Sequence, residues 1–238
     1  MLVLAIDTSS AIASVAVVRA ASDPWRAAVL AESAAELANA AGERLVGVIE
    51  RVLGDAAIEL SAIETFAVGV GPGSFTGTRV GVATAKGIAI AAARPLRGVN
   101  AFDALAVDAG ARPGERVLVA IDARKAEVYA ALVSLSAEDV APLSEARHLA
   151  PARVPEAFAL DGVSCAVGDG AALVPGIDAL LRARIAPRTP RAAAVGALAG
   201  ARQLRASCDE VDVLEPFYVR PPDVTMPKSP PGMPARRG

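Results

Sequence analysis

The sequence predicts an α/β protein with two lobes. Of its 238 residues, 53% are hydrophobic and 21% are charged, which is enough for two domains of about 100 to 120 residues with buried cores. Short apolar runs rich in β-branched residues alternate with segments of helical periodicity. An apolar run that ends in an aspartate and precedes a second strand occurs at Asp7 and again at Asp122. We therefore expect lobes at residues 1–110 and 111–220, followed by a tail at 221–238 whose six prolines predict disorder.

The chain opens with segments that predict strands. Residues 2–6 and 13–18 are apolar runs joined by a polar turn that begins at Asp7, and a third strand is expected around 27–31. The turn places a carboxylate and hydroxyls at the carboxyl end of a strand, where open α/β sheets bind ligands. Its groups could bind a phosphate, or they could close the turn through side-chain to backbone hydrogen bonds. The residues alone leave both interpretations open.

A helix is predicted over residues 39–53, where apolar residues recur at spacings of four and three. Its start is ambiguous, because residues 33–36 fit a capping box and Asn39 is an equally good N-cap. Gly54 is expected to end the helix.

The next strand, at residues 66–70, leads into the glycine-rich loop 71–77, and a helix is expected over 78–93. Glycines before a helix allow close backbone approach, and the helix N-terminus favours an anion. The loop is not a Walker A motif, because no Gly-Lys-Ser/Thr follows, and Ser74 breaks the GxGxxG pattern. The alternative is a tight turn in which Ser74 or Thr76 caps the helix. The two turns supply the candidate phosphate-binding or nucleotide-binding residues: Asp7, Thr8, Ser9, Gly71, Gly73, Ser74, Thr76 and Gly77.

The second lobe begins after a turn-rich joint at residues 110–114. Around it and beyond it we expect a helix at 101–109, strands at 116–121 and 128–135, a helix at 190–207 and an aromatic closing segment at 215–220.

Several classes of protein are disfavoured by composition. The net charge of −2, without a basic block, is unlike that of a stand-alone nucleic-acid binder. Cys165 and Cys208 form no CxxC pair, and His148 is the only histidine, so we expect no disulfide framework, no zinc site and no catalytic triad. We interpret His148 as a solvated loop residue. The chain shows no signal peptide and no membrane span, so a cytoplasmic protein is expected.

Four segments together resemble the bacterial TsaB (YeaZ) family, and they cover about residues 1–220. They are Leu4-Ala-Ile-Asp-Thr-Ser9, Gly69-Val-Gly-Pro-Gly-Ser-Phe-Thr-Gly-Thr-Arg-Val-Gly81, Ala120-Ile-Asp-Ala-Arg-Lys-Ala-Glu-Val-Tyr129 and Glu215-Pro-Phe-Tyr-Val-Arg220. The resemblance implies a two-lobed α/β fold of the actin, sugar kinase and Hsp70 class with mixed sheets.

The resemblance also implies a function without catalysis. TsaB proteins are partners of TsaD, which forms N6-threonylcarbamoyladenosine in tRNAs that read codons beginning with A. TsaD carries a His-x-x-x-His metal site, whereas the helix at 39–53 contains no histidine, and Ala41 stands where many relatives have one. We therefore expect no catalytic or metal-binding residue and no cofactor in this chain. ATP and metal would be handled by TsaD and TsaE, TsaC would supply threonylcarbamoyl-adenylate, and tRNA would be bound only through the complex.

A helical partner interface is the last expectation. Gly81, Ala85 and Ala89 form a stripe with little side-chain bulk, which either packs against the helix at 39–53 or admits a partner helix. The resemblance favours an interface with TsaD, or with a second copy when the protein is alone. The residues expected there are Ala41, Leu45, Val48, Val52, Gly81, Val82, Ala85 and Ala89. A free-standing nucleotide-binding phosphotransferase or hydrolase of the same fold is the alternative, while a metallopeptidase is excluded by the lack of ligands.

Overall fold

The computed structural model describes residues 1–36, 41–177 and 189–220. The strands are β1 (Leu2–Asp7), β2 (Ile12–Arg19), β3 (Ala28–Glu36), β4 (Thr65–Gly69), β5 (Leu96–Val99), β6 (Arg116–Arg124), β7 (Glu127–Leu135), β8 (Val140–Pro142), β9 (Arg147–Leu149) and β10 (Val163–Val167). The helices are α1 (Ala41–Ala56), α2 (Phe75–Ala92), α3 (Ala101–Asp108), α4 (Val154–Ala157) and α5 (Ala192–Arg205).

The first sheet has the strand order β3-β2-β1-β4-β5. Strands β1, β2 and β3 are antiparallel neighbours, whereas β4 and β5 run parallel to β1. The central strand β1 is buried on both faces, because successive side chains in a strand point to opposite sides. Val3 and Ala5 enter one core, and Leu4 and Ile6 enter another.

The second sheet repeats this mixed arrangement. Its order is β10-β6-β7-β8, with β9 also paired to β7, and β10 runs parallel to β6 while β7 is antiparallel to it. Val117 and Val119 of β6 face the first sheet, and Leu118 and Ala120 face the opposite side. The α/β class with mixed sheets is therefore confirmed.

The two sheets share one core through the helices between them. Helix α5 packs against β1, β2 and β4, and α3 packs against α5, β6 and β7. Helices α1 and α2 cover the outer face of the first sheet, and α4 covers the outer face of the second. Helix α5 thus follows the second sheet in sequence but packs on the first. The boundary between residues 110 and 111 stays a prediction.

Polar contacts across the molecule add to this core. Arg202 of α5 donates to Asp103 Oδ2 of α3 at 2.7 Å and to Asp139 Oδ1, beside β8, at 2.8 Å. Trp25 Nε1 donates to the carbonyl oxygen of Ser136 at 3.2 Å. Arg202 and Asp103 are largely buried, so removing either one would leave an unpaired charge in the interior. The Arg202 network therefore favours one arrangement of the two halves.

Two expected boundaries around α1 are wrong. Residues 33–36, whose capping box was one of the two alternatives for the start of the helix, belong to β3, because β2 supplies hydrogen-bonding partners along that whole segment. Gly54 lies inside α1, which continues to Ala56 and is followed by Ala57 in the left-handed region (φ 53°). Asn39 and the tail at 221–238 lie outside the described residues.

The interpretation of His148 as a solvated loop residue is also wrong. It lies in β9, opposite Tyr129 of β7, and its side chain is largely buried. Its Nε2 is 2.8 Å from Glu127 Oε2, and Arg220 approaches the same carboxylate oxygen at 3.4 Å. A three-residue strand has too little periodicity to be visible in the sequence.

Within the described ranges, no helix combines the length and the apolarity needed to cross a membrane.

The hairpin between β6 and β7 should be stabilised by a glycine. Lys125 and Ala126 occupy its two central positions with φ of 54° and 59°, the conformation in which Asn-Gly is preferred. Ala126 is exposed, so we expect Ala126→Gly to raise the unfolding free energy by about 0.5–1 kcal/mol. Urea denaturation measures it. The control Ala123→Gly, inside β6, should lower stability, and equal effects of both variants would contradict the argument.

Candidate functional site

The turn after β1 is built around the buried carboxylate of Asp7. Its Oδ1 accepts hydrogen bonds from the Ser9 backbone N–H at 3.0 Å and from Ser9 Oγ at 2.9 Å. Its Oδ2 is buried without a hydrogen-bond partner in the described part of the chain. Burial raises the pKa of Asp7 to about 6, although the two bonds from Ser9 lower it in part.

The glycine-rich loop packs directly on this turn. The Ser74 backbone N–H donates to the Ser9 carbonyl oxygen at 2.6 Å, and Thr8 Oγ1 donates to the Gly77 carbonyl oxygen at 2.7 Å. A Cβ added to Gly73 would overlap the Ser9 carbonyl oxygen, and one added to Gly77 would overlap the Thr8 carbonyl oxygen. These two glycines are therefore required by the approach of the chain to itself.

The same contacts occupy groups that a phosphate would need. Ser74 is the N-cap of α2, and its Oγ accepts the Gly77 backbone N–H at 3.2 Å. The N–H and hydroxyl of Ser9 are directed to Asp7, and the N–H of Ser74 is directed to Ser9. The capping role expected of Ser74 as one alternative is confirmed. The geometry favours a structural turn over a phosphate cradle at these atoms.

A cleft of about 620 Å³ lies between this turn and the β6–β7 hairpin. Ser9, Gly73 and Ser74 line it. Asp7 and Thr8 are buried beneath the turn, and the remaining candidates lie along the loop outside the lining: Gly71, Thr76 and Gly77. The structure thus brings the two predicted turns into contact but places only part of the candidate set on the cleft.

The opposite wall of the cleft carries charges of both signs. Asp122 accepts the Arg124 backbone N–H at 2.7 Å, and Asp169 accepts the Asp122 backbone N–H at 2.9 Å. Lys125 and Arg220 also line this wall. In the described part of the chain, no group of three or more His, Cys, Asp or Glu is placed to hold a metal ion.

Most of the residues expected at a partner interface are core residues. Leu45, Val52 and Ala85 have no exposed surface, and Val82 and Ala89 have almost none. They pack together between α1, α2 and the first sheet, which is the core alternative left open for the small-residue stripe. Gly81 is buried against Thr8, Val48 is half-buried, and the Ala41 side chain lies outside the described residues. As contact residues for a partner the fully buried ones are wrong, because an inward-facing side chain cannot reach another protein.

The outer faces of α1 and α2 carry exposed apolar side chains and glycines. Val46 is 48% exposed and Ile90 is 65% exposed. A Cβ added to Gly47, Gly54 or Gly87 would meet nothing within 4 Å. Glycine inside an exposed helix costs about 0.5–1 kcal/mol relative to alanine, and the internal packing of the described chain does not require it at these positions.

Two polar clusters escaped the sequence analysis because their members are distant in sequence. Asp108 at the end of α3 lies 3.7 Å from Arg191, which also pairs with Glu32 of β3. Burial raises the pKa of Asp108 to about 7, although Arg191 lowers it in part. The other cluster consists of Phe75, Arg79 and Tyr218 and joins the N-terminus of α2 to the closing segment 215–220. Its members lie in two of the motifs quoted for the family resemblance, but the sequence did not indicate that these motifs meet.

The two mixed sheets, the helices between them and the cleft beside the Asp7 turn define an α/β protein with two mixed sheets and a cleft at the end of its central strand. Residues 33–166 match the family model of TsaD, tRNA N6-adenosine threonylcarbamoyltransferase. The structure of YeaZ from Pseudomonas aeruginosa superposes with a TM-score of 0.74 at 28% identity, covering 91% of this chain and 100% of that chain.

Sequence relatives agree with this match. The chain is 36% identical over 130 residues to the tRNA threonylcarbamoyladenosine biosynthesis protein TsaB of Escherichia coli, covering 54% of this chain and 53% of that protein. It is 35% identical over 170 residues to an uncharacterized protein of Mycobacterium tuberculosis, covering 68% and 77%. The chain thus spans about half the length of the Escherichia coli relative. It belongs to the TsaB (YeaZ) family, within the wider family described by the TsaD model.

The buried Asp7 carboxyl should make stability depend on pH. The pKa of Asp7 is about 6 in the folded chain against an ordinary 3.8. Its contribution to the unfolding free energy is therefore fully present below about pH 4, where the carboxyl is protonated, and is lost as the pH rises through 6. The full loss is about 3 kcal/mol. We expect the unfolding free energy of Asp7→Asn, relative to wild type, to rise between pH 4 and pH 8. Urea denaturation across this range tests it with exposed Asp55→Asn as control, and a difference independent of pH would contradict it.

Proposed function

We propose that this protein is a non-catalytic subunit that binds a TsaD-type transferase. In this function it activates the transferase to form N6-threonylcarbamoyladenosine in tRNAs that read codons beginning with A. Membership of the TsaB family supports the pathway, because a relative with 36% identity carries the name of that biosynthesis. The proposed place of action is the cytoplasm.

The outer face of α1 and α2 is the observation that carries partner binding. It combines exposed apolar side chains at Val46 and Ile90 with helix-internal glycines that the described fold does not require. Small residues let a second helix approach closely, so that van der Waals contacts cover both backbones. The interface proposed here therefore uses the side of each helix opposite to the residues that the sequence suggested. A second copy of the chain could use the same face when the protein is alone.

The hydrogen bonds within the two turns support the proposal of a non-catalytic subunit. Hydrogen-bond donors of Ser9 and Ser74 that could face a phosphate are directed to Asp7 and to the Ser9 carbonyl. Asp7 itself is fully buried. We therefore assign ATP and metal to the TsaD and TsaE partners, with TsaC as the source of threonylcarbamoyl-adenylate and with tRNA contacted through the assembled complex.

The alternative is a free-standing phosphotransferase or hydrolase of the same fold. Its support is the cleft of about 620 Å³, which carries Arg124, Lys125 and Arg220 on its walls. The two functions differ in what the isolated chain can do.

Isolated and reconstituted protein should behave differently. We expect the full chain alone to release no phosphate from ATP and to modify no tRNA, and we expect modification when TsaD, TsaE and TsaC are added. Phosphate release and modified nucleoside in tRNA are the measurements, with the mixture lacking this chain as control. ATP turnover by the chain alone that disappears in Asp7→Ala would favour the phosphotransferase instead.

The interface can be tested at Gly87 with two substitutions that the fold accommodates. An added side chain there meets open space, so both variants should fold, and Gly87→Ala should gain about 0.5–1 kcal/mol of stability. Gly87→Arg places a long charged side chain in the close helix contact and should abolish binding of TsaD. Light scattering of the mixture measures the complex, and circular dichroism checks folding. Equal binding of TsaD by both variants would show that the interface does not include this part of α2.

A further inference from the structure

An aromatic and cationic cluster lies exposed at the N-terminus of α2. The guanidinium carbon of Arg79 lies 3.7 Å from the ring centroid of Phe75. Arg79 Nε donates to the Tyr218 hydroxyl at 2.9 Å, and the Phe75 and Tyr218 rings are 5.4 Å apart. Phe75 and Tyr218 are each 39% exposed. The cluster therefore presents two rings and a charge to the outside of the molecule.

Aromatic residues are scarce in this chain, which makes their exposure informative. They make up 3% of the sequence, and large aromatic side chains contribute most to stability when they are buried. Tyrosine and arginine are also the residue types that carry most binding energy in protein interfaces.

Backbone hydrogen bonds and a helix cap hold the cluster in place. The backbone N–H of Phe217 donates to the Val70 carbonyl oxygen at 2.7 Å, which anchors the segment that carries Tyr218. Ser74 caps α2 immediately before Phe75 and is itself bound to the Asp7 turn. A surface held in this way loses little conformational entropy when a partner binds.

Arg79 has no carboxylate partner among the residues that the structure describes. Among residues 1–36, 41–177 and 189–220, no Asp or Glu lies within 4.0 Å of its guanidinium. Its Nε is directed to Tyr218, which leaves the two terminal nitrogens as donors with a fixed orientation. A planar fork of this kind fits a carboxylate with two parallel hydrogen bonds.

The cluster continues the exposed face of α2. At 3.6 residues per turn, an exposed series of five residues falls within an arc of about 120° on this helix: Phe75, Arg79, Ala83, Gly87 and Ile90. One docked partner could therefore cover both the small-residue part of the face and the cluster.

The geometry points to a second contact on the partner-binding face, in which Arg79, supported by Phe75 and Tyr218, receives a carboxylate that an apolar segment of the TsaD-type partner presents. This inference rests on the proposed function and adds a charged anchor to it. A carboxylate bound there would gain a charge-assisted pair beside two rings that exclude water. The small-residue part of α2 would supply close packing, and the anchor would set the register of the partner on the helix.

A protein ligand is favoured over RNA at this position. Arg79 already covers one face of the Phe75 ring, which reduces the ring surface on which an unpaired base could stack. The net charge of the chain is −2, which gives no general attraction for a phosphate backbone.

Four full-length variants test the anchor by titration against the TsaD-type subunit. Arg79→Met keeps an unbranched apolar side chain about as long as the aliphatic part of arginine and removes the charge, so we expect the Kd to rise about tenfold and to depend less on salt. Arg79→Lys should recover part of the affinity. Tyr218→Phe removes the hydroxyl but leaves the cation, and it should change the Kd by about twofold at most. Arg153→Met, at an exposed arginine on the other half of the molecule, should bind as wild type.

The outcomes separate the anchor from the proposed function. Wild-type affinity in Arg79→Met, together with lost binding in Gly87→Arg, would overturn the anchor and leave the proposed interface standing. A loss in Tyr218→Phe as large as that in Arg79→Met would show that Arg79 only holds the closing segment, which also overturns the anchor. Unchanged partner affinity in Arg79→Met with weaker crosslinking of tRNA to the complex would assign the cluster to RNA. No binding by the wild-type chain would overturn both proposals.

Discussion

The close packing of the glycine-rich loop on the Asp7 turn is the contact on which the surrounding structure depends. The turn buries a carboxylate at the end of the central strand, and the loop satisfies the polar backbone of that turn through the bond from Ser74 to Ser9. The approach is possible only because Gly73 and Gly77 lack side chains. Most buried polar groups are hydrogen-bonded, so the bond from Ser74 to Ser9 fixes the start of α2. The separate bond from the Phe217 N–H to the Val70 carbonyl oxygen, just before the loop, holds the segment that carries Tyr218.

The same contact occupies hydrogen-bond donors at the carboxyl end of the central strand. In open α/β sheets, ligands bind in the crevice at the carboxyl ends of the strands. Here donors of Ser9 and Ser74 are directed into the protein. The exposed apolar and glycine positions lie on the outside of α1 and α2, away from the core that those helices form with the first sheet. Under the proposed function, the protein therefore binds its partner through the outer face of α1 and α2 and not through the cleft.

The buried carboxyls carry a cost that the fold tolerates. Burial raises the pKa of Asp7 to about 6 and that of Asp108 to about 7, so both oppose folding near neutral pH relative to a neutral side chain. The shared core between the sheets and the network around Arg202 offset this cost. The arrangement is consistent with a rigid body, because the same core and the same network join both halves.

The sequence by itself determined the class of fold, the central strands, the long helices and the positions of the two polar turns, because these depend on periodicity and on local turn chemistry. The contact between the two turns was decided by the tertiary structure. It also identified the family, since four motifs in order are specific. It could not decide which side of α2 faces outward: Ala85 and Gly87 are both small, and only the sheet beneath the helix buries Ala85 and leaves Gly87 open. It placed His148 in a loop and missed the pairing of Arg79 with Tyr218, because both depend on contacts between distant residues, which only the tertiary structure brings together.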